Sequence, residues 1–217
     1  DGVRYGKWIG PWGDGETLSV QQPDGSLYFG RPGIALLPAA LYRVTGDEEF
    51  RSATRAVLAP VRGRVETIVG EGTEALGGTD GAGAVAYGLA AAGALLDDDD
   101  LLNEAERALT GLSAEAVTTD QVYDVVGGSA GTVLGCLGAY DRTGTEAFLS
   151  WAGEGGERLV AAQHNVDPAG AAWDTGGDDT PLVGFSHGSS GVGYALGRLA
   201  AVTGVDRYET AVNDALR

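Results

Sequence analysis

A glycine spacing that recurs three times restricts this chain to an architecture of repeated helix pairs. Gly33, Gly131 and Gly191 each stand three residues after another glycine (Gly30, Gly128, Gly188), and each opens an apolar run. A further glycine follows each of them at 13 residues (Gly46, Gly144, Gly204), and an aromatic follows at 17 (Phe50, Phe148, Tyr208). A looser copy, Gly77-Gly78-Thr79-Asp80-Gly81-Ala82-Gly83 with its acidic run Asp97–Asp100, lies between the first and second of these and makes them repeats one, three and four. Periods of about 50 to 60 residues suit one helix–turn–helix pair per repeat.

The residue types between these markers explain why the pairs should be helical. Each run from the glycine frame to the next glycine is small and apolar nearly all round, as in a helix buried on every side. Gly46, Gly144 and Gly204 sit where a left-handed C-terminal cap is wanted, and Asp47, Thr145 and Asp206 are candidate N-caps for a second helix. In the first repeat that helix is amphipathic: Phe50, Ala53, Val57, Val61, Val65 and Ile68 alternate with Arg51, Arg55, Arg62 and Glu66, and Pro60 predicts a kink. Strand signals are nearly absent.

Buried helices alternating with amphipathic ones imply an all-α fold in two layers, an α/α toroid; a straight solenoid satisfies the same nearest-neighbour stacking. Residues 1–26 read as an irregular lead-in, and residues 27–217 as one partial toroid of four helix pairs. The apolar stripe Tyr208, Ala211, Val212, Ala215, Leu216 runs to Arg217 without a cap, so the expectation is a piece of a longer domain.

Composition narrows the function classes. Thirty-one acidic residues against 14 basic ones, net −17, argue against nucleic acid or an anionic membrane as partner. Lys7 is the single lysine, and this acid excess resembles proteins of salt-loving organisms. No apolar run is long enough to span a membrane and the start is not a signal peptide, so the expected compartment is the cytoplasm. Cys136 alone can form neither an internal disulfide nor a cysteine-rich zinc site.

The fourth repeat, Gly184-Phe185-Ser186-His187-Gly188-Ser189-Ser190-Gly191, differs from the others in carrying a histidine in its turn. His187 can act as a base near neutral pH, or simply cap and pack the turn. Asp124, in Tyr123-Asp124-Val125-Val126-Gly127-Gly128, can orient such a base or serve as an N-cap. Cys136 is a core residue in this reading, and His164 a surface residue at a helix end. Asp97–Asp100 lacks the glycine and terminal glutamate of a calcium loop and is a solvated start of the next helix. The glycine frames follow no strand and precede no Lys-Ser/Thr, so they serve tight turns and close helix approach rather than a phosphate cradle. Gly176–Thr180 is a candidate mobile rim that touches substrate.

With Leu27-Tyr28-Phe29-Gly30-Arg31-Pro32-Gly33, Tyr123-Asp124-Val125-Val126-Gly127-Gly128-Ser129-Ala130-Gly131 and Gly184-Phe185-Ser186-His187-Gly188, the chain resembles the cyclase domain of lanthionine synthetases, most closely the C-terminal half of the two-domain (class II) enzymes. The resemblance implies an α/α toroid of seven helix pairs, of which about four are present. It also implies an activity: closing thioether rings by adding peptide cysteine thiols to dehydroalanine or dehydrobutyrine in a ribosomal precursor peptide. It carries His187 and Asp124 over as catalytic residues, with a zinc ion that lowers the thiol pKa. The zinc ligands of the family, in a Trp-Cys-x-Gly and a Cys-His-Gly motif, have no counterpart here. The expectation is therefore no cofactor in this chain, zinc in the full-length family member, and no activity in isolation.

The partners implied are the precursor peptide, the rest of the toroid and a dehydratase domain, with a second copy able to cover the open toroid edge. The alternative is a non-catalytic peptide- or thiol-binding toroid. A sugar-cleaving toroid would need paired carboxylates that the inner helices do not offer.

Overall fold

The computed structural model describes residues 9–13, 18–62, 76–110, 112, 114–166, 170–175 and 180–217. The elements, in order, are β1 (Gly10–Gly13), β2 (Leu18–Gln21), α1 (Arg31–Thr45), α2 (Glu48–Leu58), α3 (Ala82–Leu96), α4 (Asp99–Thr110), α5 (Ala114–Thr118), α6 (Ser129–Thr143), α7 (Glu146–Ala162), β3 (His164–Asn165), β4 (Ala171–Ala172), α8 (Ser189–Thr203) and α9 (Asp206–Ala215). Helices α1, α3, α6 and α8 form an inner layer in which each packs on the next, and α2, α4, α7 and α9 back them as an outer layer. The fold is all-α and matches the two layers of an α/α toroid. No described helix is long and apolar enough to cross a membrane.

The inner helices are small because their backbones touch. A Cβ on Gly135 of α6 would stand 2.3 Å from the carbonyl oxygen of Gly83 on α3, and one on Gly88 of α3 would stand 2.6 Å from Cβ of Pro32 on α1. All of α3 is buried except Tyr87, Ala94 and Leu95. The expectation of burial on every side fails for the two ends of the arc. Leu37 holds the place on α1 that Gly88, Gly135 and Ala195 hold on the other inner helices, yet it is 69% exposed, and Tyr194 on α8 is 48% exposed.

The repeat offsets are structural. Gly46, Gly144 and Gly204 have φ of 70°, 66° and 68° and cap α1, α6 and α8 in the left-handed conformation. Phe148 and Tyr208 sit in the core, with Phe50 half-buried. Repeat two fits the same frame once Ala84, not Gly83, is taken as its reference. The Ala84 N–H donates to the Gly77 carbonyl seven residues back, as Gly131 does to Asp124. Thirteen residues after Ala84 stands Asp97, left-handed at φ 50°, and at 17 stands Leu101, fully buried.

Other boundaries differ from the sequence expectation. Helix α2 stops at Leu58, and residues 59–62 turn, so Pro60 follows a helix end instead of kinking a helix; Val65, Glu66 and Ile68 lie outside the described residues. Asp47 caps α2 by accepting the Glu49 N–H at 2.9 Å, whereas Val205, not Asp206, is the N-cap of α9. The lead-in contains an antiparallel ladder from Gly10↔Gln21 to Gly13↔Leu18, and a second short ladder joins His164 to Ala172. His164 is therefore in a strand, beyond the end of α7, and its Nε2 lies 3.4 Å from Asp174.

Arginines tie the outer face of one repeat to the next. Arg43 reaches Asp97, Arg55 reaches Asp98 and Arg62 reaches Glu104 across repeats one and two; Arg198 reaches Asp141 and Arg207 reaches Glu157 across repeats three and four. The acidic run is thus only partly solvated: Asp98 is 5% exposed. Burial alone would raise its carboxyl, but the hydrogen bonds and charge of Arg55, the Leu101 N–H and the charge of Arg62 together hold it below the ordinary range. A carboxylate lowered in the folded state adds stability above its unfolded value of about 3.9, and that stability fades as pH falls through the lower folded value. Asp98→Asn should cost about 1–2 kcal/mol at pH 7, mostly from the buried acceptor because Arg55 is half-exposed. Urea unfolding should show the gap closing below about pH 4.

Candidate acid–base site

All four inner helices start on the same face of the arc, and the turns in front of them form its rim. Phe29, Asp80, Gly127 and His187 occupy the same place, immediately before the N-cap glycines Gly30, Gly81, Gly128 and Gly188. Main-chain hydrogen bonds stitch each turn to the next: Leu27 N–H to Thr79 O at 2.7 Å, Gly78 N–H to Val125 O at 3.0 Å, and Val125 N–H to Ser186 O at 3.1 Å. The last of these draws the third and fourth turns together.

That stitch brings the two residues singled out from the sequence into contact. His187 Nδ1 lies 2.6 Å from Asp124 Oδ2, although 63 positions separate them. The side chain of Asp124 is 3% exposed and that of His187 56%. Asp124 Oδ1 accepts the Gly127 N–H at 2.8 Å, and its own carbonyl accepts the Gly131 N–H. Asp124 is therefore not the N-cap of α6; Gly128 holds that position. An ionised carboxylate only accepts, so Nδ1 carries the proton and Nε2 is left as the basic atom of the ring. A buried carboxylate behind a half-exposed imidazole is an arrangement that takes a proton from a bound group and steadies the resulting imidazolium.

The backbone of His187 is fixed from the other side. Thr175 donates its hydroxyl to the His187 carbonyl, and two residues earlier the buried Trp173 donates Nε1–H to Leu159 O at 2.7 Å, anchoring the connector to α7. The neighbouring Gly176–Asp179 stretch of the candidate mobile rim lies outside the described residues; Thr180 is exposed.

Three residues that sequence reasoning passed over hold the turn of Asp124. Tyr123 is left-handed at φ 59°, a conformation that costs an L-residue about 1–2 kcal/mol. The buried Asp120 carboxylate accepts from Val122 N–H, Tyr123 N–H, Ser129 N–H and Ser129 Oγ at 2.9, 3.2, 2.8 and 2.6 Å. Arg158, on α7, donates to the Asp120 carbonyl and, at 2.8 Å, to Tyr123 Oη, with its guanidinium 5.0 Å from the Tyr123 ring centroid. A faint sequence signal existed: Asp120 stands nine residues before Ser129, as Gln22 stands nine before its partner Arg31. Asp80 was missed too. Burial, and then the charge of Asp24, push its carboxyl up, against a lowering hydrogen bond from Thr79.

The remaining candidates stay apart from this site. Cys136 is fully buried in the core, and burial pushes its thiol up to about 12. Among the described residues no three His, Cys, Asp or Glu side chains converge to hold a metal ion. With Cys136 enclosed and His164 paired to Asp174 in a separate ladder, these residues do not fit the zinc that the sequence resemblance implies. A family model described as lanthionine synthetase C-like protein matches residues 21–217. No curated protein matches the chain.

Proposed function

The chain belongs to the lanthionine synthetase C-like family, and on that premise we infer that it contributes the acid–base half of a thioether-forming cyclase. The observation that carries this reading is the 2.6 Å contact between His187 and the buried Asp124. In the reaction, His187 Nε2 takes the proton of a peptide cysteine thiol. The sulfur bonds to the β-carbon of dehydroalanine or dehydrobutyrine, and the π electrons move onto the adjoining carbonyl as an enolate. The imidazolium then returns a proton to the α-carbon, so the addition is balanced and no group leaves. Asp124 keeps the Nδ1 proton in place and offsets the positive charge while it exists.

Activation of the thiol by zinc falls, in this reading, to residues other than those described. A ribosomal precursor peptide is the proposed substrate. Further toroid repeats, a dehydratase domain or a second copy are the proposed neighbours of the exposed faces of α1 and α8.

The test uses a peptide with one cysteine and one dehydroalanine. Ring closure is read as loss of alkylatable thiol without change of mass. The 217-residue chain should give no rate above buffer, and the complete product of its gene should close the ring. A complete product that binds the peptide but never closes it would replace this reading with a non-catalytic peptide-binding toroid.

A further inference from the structure

We propose that Arg158 is a positioning residue for the acid–base pair, acting from the outer layer through Tyr123 and Asp120. Its guanidinium spans the two ends of one tight step in the chain. It donates to the carbonyl of Asp120 and to the hydroxyl of Tyr123, and lies over the Tyr123 ring. Between those ends the Asp120 carboxylate takes the N–H groups of Val122 and Tyr123. What the clamp holds is the left-handed φ of Tyr123, and the next residue is Asp124. A step of Tyr123 out of that conformation would re-aim the Asp124 carboxylate, whose Oδ2 meets His187 and whose Oδ1 meets the Gly127 N–H.

The clamp is not part of the repeat. At the places of Asp120 and Ser129, the first repeat has Gln22 and Arg31, which bond through Arg31 Nη2 at 3.2 Å. The second has Ala82 at the place of Ser129, with no side-chain donor. The fourth has Thr180 and Ser189, and the Ser189 hydroxyl has no partner among the described residues. At the place of Tyr123 the other turns have Gly25, Leu76 and Val183, and none of these has a positive φ. At the place of Arg158 the first repeat has Pro60. Among the described residues, carboxylate, strained tyrosine and arginine coincide only in the turn that presents the carboxylate of the pair. Among the described residues, the hydrogen bonds of Arg158 go to Asp120 and Tyr123 and not to His187 or Asp124.

This inference rests on the acid–base reading for its consequence, but its geometry can be tested without any reaction. In the full chain, the His187 Nδ1 proton bonded to Asp124 should appear as a downfield, slowly exchanging proton resonance. Arg158→Met should speed its exchange with water by about tenfold or broaden it away, as loss of a charged hydrogen bond implies. Tyr123→Phe, which keeps the ring and deletes the hydroxyl, should fall between, with the amide spectrum of the helices unchanged. Tyr123→Gly adopts a left-handed φ without steric cost and should retain the resonance, and in that background Arg158→Met should have little further effect.

An unchanged resonance in folded Arg158→Met overturns the proposal. So does an equal loss in the presence and absence of Tyr123→Gly, since that marks a role in packing α7 alone. Should Arg158→Met not fold, Tyr123→Phe decides by the same criterion. Ring closure by the complete gene product separates the two readings. Loss of the resonance with full closure would sink the role of His187 as base and leave the clamp standing.

Discussion

His187→Asn should lower the rate of ring closure in the complete gene product by about 10²–10⁴-fold, the range for removal of a general base. Asp124→Asn gives a loss of similar size for a different reason. An asparagine amide at this position presents an NH₂ to Nδ1, which turns the ring to the tautomer that carries its proton on Nε2, where a base needs a lone pair. The variant is isosteric and can still accept the Gly127 N–H, so the melting temperature should move far less than the rate. Initial rates of thiol loss, measured with the dehydrated peptide in excess, are the readout. Wild-type closure by His187→Asn would remove the acid–base assignment.

Gly135→Ala removes the folded state or costs at least about 3 kcal/mol, because the new methyl has nowhere to go. Its position is 2.3 Å from the Gly83 carbonyl oxygen and 2.5 Å from the carbonyl carbon, both main-chain atoms of α3 that cannot rotate aside. The helices would have to part, and α3 is also seated on α1 through Gly88 and Pro32. Gly153 on α7 is the control, with nothing within 4 Å of its missing Cβ. Gly153→Ala should stabilise by about 0.5–1 kcal/mol through helix propensity alone. Urea titrations of the two variants give both values, and an unperturbed midpoint for Gly135→Ala would contradict the backbone contact.

The glycine offsets made repeats one, three and four legible because two separate demands, a left-handed cap and a core aromatic, fall at fixed distances in the chain. Repeat two read as a looser copy for a physical reason. Gly83 imitates the frame glycine, yet it is small because Thr132 Cα of α6 approaches its Cβ position to 2.7 Å, while Asp97 takes a cap that glycine fills elsewhere. Asp124 and His187 could be singled out as orienter and base, but the means of their contact could not, since it depends on two turns being tied together by main-chain atoms. Arg158 was illegible for a related reason: on an outer helix it looks like any other exposed arginine, and its partners come from a preceding loop. The short ladder of the lead-in was hidden because Gly10-Pro11-Trp12-Gly13 carries none of the alternation by which a strand is read.

The stitching of the rim has a bearing on how such a protein can change over time. Leu27 and Val125 donate through N–H groups that any residue except proline would supply, and Gly78 donates from a place where a Cβ would stand 2.9 Å from Val125 O, so the spacing of the turns is set by main-chain atoms. Phe29 and Asp80 share with His187 one place on that rim and have nothing chemical in common with it. Drift at those two places alters what a visiting molecule meets without moving His187 away from Asp124. A lineage could exchange its clientele there while inheriting the reaction unchanged.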